Sequence, residues 1–204
     1  MKTWIHALLT SAALIAGAPA AYADEALKAA IAGAHRTPAF AARDAARHPY
    51  ETLSFFGIKP TQTVVELSPG GGWYTEILAP YLRERGQLIL AGDDPTSSSA
   101  YFQRSAARFK QKIEASPALY DKAQVSVFDA GAGKLDYAKP GSADLVLTFR
   151  NVHNWVQHGE AKTQAVFKSA FDALKPGGVF GVVDHRLPAA AKQDEKASSG
   201  YLHV

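Results

Sequence analysis

The run Val64-Val65-Glu66-Leu67-Ser68-Pro69-Gly70-Gly71-Gly72-Trp73 sets a carboxylate and three consecutive glycines at the end of an apolar, β-branched stretch. Such a stretch reads as a buried strand, and the glycines as a tight turn into a helix. Glycine lets the backbone turn sharply and lets a ligand approach where a Cβ would clash. The unpaired N–H groups of the next helix then face that ligand. A plain strand-to-helix turn needs one glycine; three beside an acid point to ligand binding.

The acid indicates the charge of the ligand. A dinucleotide fingerprint, G-x-G-x-x-G, fits Gly70 and Gly72 but wants a small residue where Thr75 stands. Glu66 would repel a phosphate and suits a cation. S-adenosyl-L-methionine carries an ammonium and a sulfonium, so the acid favours that cofactor over a nicotinamide dinucleotide.

The elements around this turn must position it. From Thr61 on, short apolar runs alternate with helical patterns. Strands are predicted over Thr63–Leu67, Gln87–Leu90, Val125–Phe128, Asp144–Phe149 and Val179–Val183. Helices are predicted over Trp73–Arg83, Ser98–Glu114 and Glu160–Leu174, the last with Phe167, Phe171 and Leu174 at i, i+4 and i+7 and a stop at Lys175-Pro176-Gly177-Gly178. This is the pattern of an α/β, doubly wound parallel sheet, which binds ligands at the carboxyl ends of its strands. Residues 24–60 read as an Ala-rich helical segment broken at Pro38 and His48-Pro49, and 61–204 as the α/β domain. Ala189–Ser199 reads as a loop.

Glu66 to Gly72 resembles the first motif of class I S-adenosylmethionine-dependent methyltransferases, an acid followed by G-x-G-x-G, with Ser68 at the place of the first glycine. Arg47-His48-Pro49 with Glu51-Thr52-Leu53, Pro69–Tyr74 with Glu76–Leu82, and Thr148–Trp155 resemble a group of predicted bacterial methyltransferases, many with export signals. The similarity runs from about Arg43 to the end. It implies a Rossmann-like sheet of seven strands, the last two an antiparallel hairpin at the edge. Only five are legible, so the sheet is expected to lack the last two, and Gly200-Tyr201-Leu202-His203-Val204 reads as the start of another helix.

The resemblance also assigns roles. Glu66, Ser68, Gly70, Gly71 and Gly72 would hold the cofactor. Asp93 and Asp94 follow the second strand, where a carboxylate can accept hydrogen bonds from both ribose hydroxyls. Either could serve; the spacing slightly favours Asp93. Asp129, after the third strand, would face the adenine amino group. Phe149-Arg150-Asn151-Val152-His153-Asn154-Trp155 would lie between cofactor and substrate. His153 is then the candidate general base, since imidazole accepts a proton near neutral pH. Arg150, Asn151, Asn154 and Trp155 would shape the substrate site. The alternative for this segment is a polar helix cap with Trp155 in the core; singly, each acid could cap a helix or face water. Asp184-His185 either lines the same cleft or leaves it.

Other chemistries find less support. There is no G-x-S-x-G elbow, and His153 and His158 are five apart, poorly spaced for one metal on a helix face, so no metal site is expected. No N-P-P-Y type signature follows the fourth strand. The net charge of +3 is weak and the basic residues are scattered, so nucleic acid is not an expected partner. The absence of cysteine excludes disulfides and thiolate catalysis.

Lys2, the apolar run Ala7–Ala18 and Ala21-Tyr22-Ala23 have the form of an export signal cleaved before Asp24. The run is short of the roughly 20 residues a membrane span needs. The reading is a periplasmic protein, without stable membrane insertion after cleavage, that methylates a small molecule. Because S-adenosylmethionine is made in the cytoplasm, a non-catalytic periplasmic ligand-binding protein on the same fold stands as the alternative.

Overall fold

The computed structural model describes residues 24–194 and 196–203. The signal predicted over residues 1–23 lies outside them. Four short helices come first: α1 (Glu25–Ile31), α2 (Pro38–Ala41), α3 (Asp44–Arg47) and α4 (Pro49–Phe55). Asp24 caps α1, its carboxylate accepting from Leu27 N at 3.0 Å. Pro38 and Pro49 open α2 and α4 at first-turn positions, where a missing N–H costs nothing. Leu27 of α1 and Leu53 of α4 are fully buried and pin this segment to the domain. Each contributes roughly 1.5–3 kcal/mol of apolar transfer.

The domain then runs β1 (Thr63–Leu67), α5 (Thr75–Leu82), β2 (Gln87–Gly92), α6 (Ala100–Ala115), α7 (Pro117–Tyr120), β3 (Gln124–Val127), β4 (Ala143–Phe149), α8 (Val152–Val156), α9 (Glu160–Ala173), β5 (Leu174–Val183), β6 (His185–Arg186) and β7 (Tyr201–Leu202). The main sheet is parallel with the order β3-β2-β1-β4-β5. The chain moves outward from β1 to β3 and returns to β4 on the other side of β1. That reversal leaves a crevice at the carboxyl ends of β1 and β4, where such sheets take ligands.

Alternation along the strands covers both faces. Val64, Leu88, Leu90, Leu145 and Leu147 pack under Leu27, Leu53, Ile77 and Leu78. Val65, Leu67, Ile89 and Val146 pack under Trp155, Val166 and Ala170. Glu66 shares the face of Val64 and so points toward α5.

Several elements differ from the sequence reading. The aromatic stripe of α9 does not face the core: Phe171 is 76% exposed, and Val166, Ala170 and Ala173 are the buried line. The helix stops before Lys175-Pro176-Gly177-Gly178 as expected, but β5 begins at Leu174 rather than Val179, and these four residues form an unpaired bulge between Ala143–Leu174 and Leu145–Val179. Val152–Val156 is a helix of its own. Among the described residues the tail forms no helix; Tyr201–Leu202 is a strand that pairs in parallel with His185–Arg186. Among the described residues the main sheet holds five strands, and no helix is long and apolar enough to cross a membrane.

Candidate active site

The glycine turn is built from both sides. Ser68 adopts a left-handed φ of +53°, a conformation that favours glycine and accounts for the usual residue at that point of the motif. Gly72 has a φ of +82°, and a Cβ there would stand 3.1 Å from Lys112 Cε and 3.2 Å from Phe109 Cε2 of α6. A side chain there would crowd α6 and sit on a backbone conformation that favours glycine. Phe40 covers it from the N-terminal segment, its Cζ 3.4 Å from the place of a Gly71 Cβ. Asn151 ties the turn to β4: its Nδ2 lies 3.3 Å from the carbonyl oxygens of Leu67 and Ser68 and 3.0 Å from Thr148 Oγ1.

A cavity of about 410 Å³ opens at the carboxyl ends of the strands. This is within the roughly 300–1,000 Å³ range of small-molecule sites. Ser68 and Gly70 form one wall. Asp93, Asp94 and, on α6, Tyr101, Phe102 and Ser105 form another, with Phe128, Asp129 and Gly131 beyond β3. Asn151, the residue before α8, closes it together with Asn154 and Trp155 of α8 and Gln157 and His158 of the turn after it.

The sequence candidates fall into distinct places. Asp93 is on the wall, half-buried; burial raises its carboxyl, the charge of Asp129 adds to this and the Ser105 hydroxyl opposes it. Asp94 is also on the wall but already engaged. It accepts from Thr96 N and Oγ1, both at 2.8 Å, and pairs with Lys134, whose ammonium pulls it down to about 2. Asp129 Oδ1 accepts from Ala132 N at 2.8 Å. Asn154 and Trp155 face the cavity, and Trp155 is also packed edge-on to Phe128.

Glu66, Gly71, Gly72, Arg150 and His153 are not on this wall. Glu66 lies beneath the turn, buried, and accepts from Thr75 Oγ1 at 2.7 Å; burial pushes its carboxyl up to about 7, against the pull of that hydroxyl. His153 Nδ1 lies 2.9 Å from Asp184 Oδ1, and its backbone N–H donates to Asp184 Oδ2 at 3.1 Å. Its Nε2 stands 3.8 Å from the place of a Gly200 Cβ, toward the C-terminal strand. Arg150, with φ of +65°, donates from Nε to His185 Nε2 at 2.8 Å.

The sequence reading missed Tyr101, Phe102, Ser105, Phe128, Gln157 and His158. The adjacent aromatics Tyr101-Phe102, in the first turn of the helix after the second strand, were a usable signal. His158 had no such signal: it reaches the wall through a contact distant in sequence, its ring 2.9 Å from the place of a Gly131 Cβ.

Neither a protein-family model nor a curated protein matches the chain's sequence. Solved structures do match its fold. A SAM-dependent methyltransferase from Aquifex aeolicus superposes with a TM-score of 0.54 at 14% identity, over 72% of this chain and 69% of that one. The fold is that of an S-adenosylmethionine-dependent methyltransferase. An arsenic(III) S-adenosylmethionine methyltransferase from Chlamydomonas reinhardtii matches at a TM-score of 0.49 and 15% identity, over 76% of this chain but 47% of its own. A SAM-dependent methyltransferase from Methanosarcina mazei matches at 0.47 and 18%, over 63% of this chain and 55% of its own. The chain thus spans about half the length of these last two. In the methyltransferase fold seen here, the glycine turn, Asp93 and Asp129 stand at the carboxyl ends of β1, β2 and β3 in that order.

Proposed function

We propose that the protein transfers a methyl group from S-adenosyl-L-methionine to a small-molecule acceptor. The observation that carries this is the half-buried Asp93 carboxylate on the wall of a cavity bounded by the glycine turn. Such an acid, with no lysine or arginine within ion-pair distance among the described residues, suits the two donors of a ribose diol. Phe128, Phe102 and Tyr101 offer apolar and aromatic surface for a base, with Asp129 at its edge. The turn at Ser68 and Gly70 would take the amino-acid end of the cofactor, and Glu66 beneath it braces the start of α5 through Thr75 rather than touching the ligand.

The cofactor supplies an electrophilic methyl on a sulfonium. The chain supplies position: oriented reactants account for much of the rate in such displacements. Asn151 fixes the turn against the end of β4, and Asn154 and Trp155 would border the acceptor. Asp184 holds His153 through Nδ1 and leaves Nε2 as the basic nitrogen; because Nε2 lies toward Gly200 and off the cavity wall, the base role requires an acceptor that extends to that side. The export reading rests on Lys2, the Ala7–Ala18 run and Ala21-Tyr22-Ala23, and gives a periplasmic protein.

Calorimetric titration with S-adenosylhomocysteine and with NADH tests the reading. Binding of the first alone is expected; binding of NADH alone, or of neither, would overturn it.

A further inference from the structure

The segment that covers the glycine turn brings arginines with it. Arg47, at the end of α3, lays its guanidinium over the Trp73 ring, 4.6 Å from the centroid. Trp73 is the residue after the glycines, and its Nε1 donates to Phe40 O at 2.9 Å, which fastens the segment there. The next residue, Tyr74, stacks on Phe149 with centroids 3.5 Å apart and planes at 13°. Phe149 precedes Arg150, and Asn151 after it is on the cavity wall. Arg47 and Arg150 are therefore joined through a largely buried aromatic layer, Trp73, Tyr74 and Phe149, beside the cavity.

The arginines at the two ends of this layer add positive charge without a paired carboxylate among the described residues. Burial, then the charges of Arg43 and Arg150, push the Arg47 guanidinium below its usual value. Among the described residues, none of these three arginines has a carboxylate within ion-pair distance. Asp44, whose charge reaches Arg47, is itself held by Arg36 at 3.0 and 3.4 Å. Gathering like charges costs free energy unless an anion offsets it. Stacking on an indole and donation to His185 Nε2 orient two of the guanidiniums while leaving N–H groups free, and guanidinium forks match carboxylate and phosphate oxygens in pairs.

We infer that Arg43, Arg47 and Arg150 form a notch that holds an anionic oxygen group of the methyl acceptor, a carboxylate or a phosphate monoester. The inference rests on the methyl-transfer reading above and names the class of its acceptor. Arg150 provides the link to the cavity through Asn151, and the N-terminal segment provides the rest. That segment is thus part of the acceptor site as well as a cover for the turn.

The test is calorimetric titration of the full chain with phenyl phosphate, with benzoate and with neutral benzyl alcohol, each with and without S-adenosylhomocysteine. At least one anion should bind and benzyl alcohol should not; which anion binds separates phosphate from carboxylate. Arg47→Gln and Arg150→Gln should each weaken the anion by about tenfold or more, the loss expected for a charge-assisted contact. Arg47→Lys should recover part of the loss. Where Arg47→Gln lowers the melting temperature through its lost stacking, the exposed Arg43→Gln and Arg150→Gln decide. No anion binding, or equal binding by these variants, overturns the notch. S-adenosylhomocysteine binding without anion binding sinks this inference alone; a chain that binds the anions through these arginines but not S-adenosylhomocysteine keeps the notch and loses the methyl-transfer reading.

Discussion

Thr75 Oγ1 donates a 2.7 Å hydrogen bond to Glu66 Oε2 in a buried contact beneath the glycine turn. Burial pushes the Glu66 carboxyl from 4.5 to about 7. The unfolded chain therefore loses this proton at lower pH than the folded one, and unfolding releases a proton between the two values. For this group, stability is fully present below about pH 4.5 and declines as pH rises through 7, by about 3 kcal/mol in all. Glu66→Gln keeps a partner for Thr75 and should flatten the decline. Urea unfolding at pH 5 and pH 8 measures it; identical slopes in both proteins would mean that Glu66 is already ionised in the fold.

Asp93 and Asp94 are adjacent in sequence and differ in what they already hold. Asp93→Ala should weaken S-adenosylhomocysteine by about ten- to a hundredfold, as expected for a charge-assisted contact of roughly 1.5–3 kcal/mol. Asp94→Asn should act on the fold, loosening the turn at Thr96 and releasing Lys134. Affinity and melting temperature, measured on both variants, separate the two. A larger affinity loss at Asp94 would exchange the assignments.

His153→Ala divides the base reading from a structural one. As a base, His153 should lower turnover by roughly 10²–10⁴-fold when removed, with cofactor affinity nearly intact. As a tie between α8 and Asp184, its loss should lower the melting temperature and cofactor affinity together. The stability and affinity half can be measured before an acceptor is known.

Glu76 ties the N-terminal segment to α5. It is buried, accepts from Thr37 N at 2.9 Å and Thr37 Oγ1 at 2.6 Å, and pairs with Lys112 at 2.5 Å and Arg36 at 3.4 Å. Burial would raise its carboxyl, but Lys112 and Thr37 outweigh that and hold it below the ordinary range. Its contribution is thus present at neutral pH and lost as pH falls through its folded value. Glu76→Ala leaves Arg36 buried without this partner and should destabilise by about 3–5 kcal/mol. Denaturant unfolding at pH 7 checks this, and a loss under 1 kcal/mol would contradict it.

Local chemistry made some of this readable. Val64 to Gly72 declares its strand and turn through β-branching and glycine, and the acids after β2 and β3 follow from the period of the elements. What was hidden depended on contacts distant in sequence. Asn151 reads as a substrate ligand until its bonds to Leu67 and Ser68, more than 80 residues away, are known. Pro176 and Gly177 stop a helix as expected, yet they lie inside β5 as an unpaired bulge, because the strand already pairs with β4 at Leu174, before them. Tyr201–Leu202 is a strand because His185–Arg186 pairs with it, and α8 is one short turn without a side-chain cap. The Phe167–Phe171 stripe has the right period and the wrong face, which small Ala170 and Ala173 occupy instead.

Asp24 does more than cap α1. Its own N–H donates to Tyr50 of α4 at 3.1 Å, and its carboxylate also receives the hydroxyl of Tyr81 of α5. One residue thus joins three helices. A chain cut immediately before Asp24 would keep every one of these contacts, with an α-ammonium group as the donor to Tyr50. A chain cut one residue later would lose them all, leaving Tyr81 without its acceptor and α1 uncapped. A cut displaced by one peptide bond at this point would thus remove three ties at once and loosen α1 against α4 and α5.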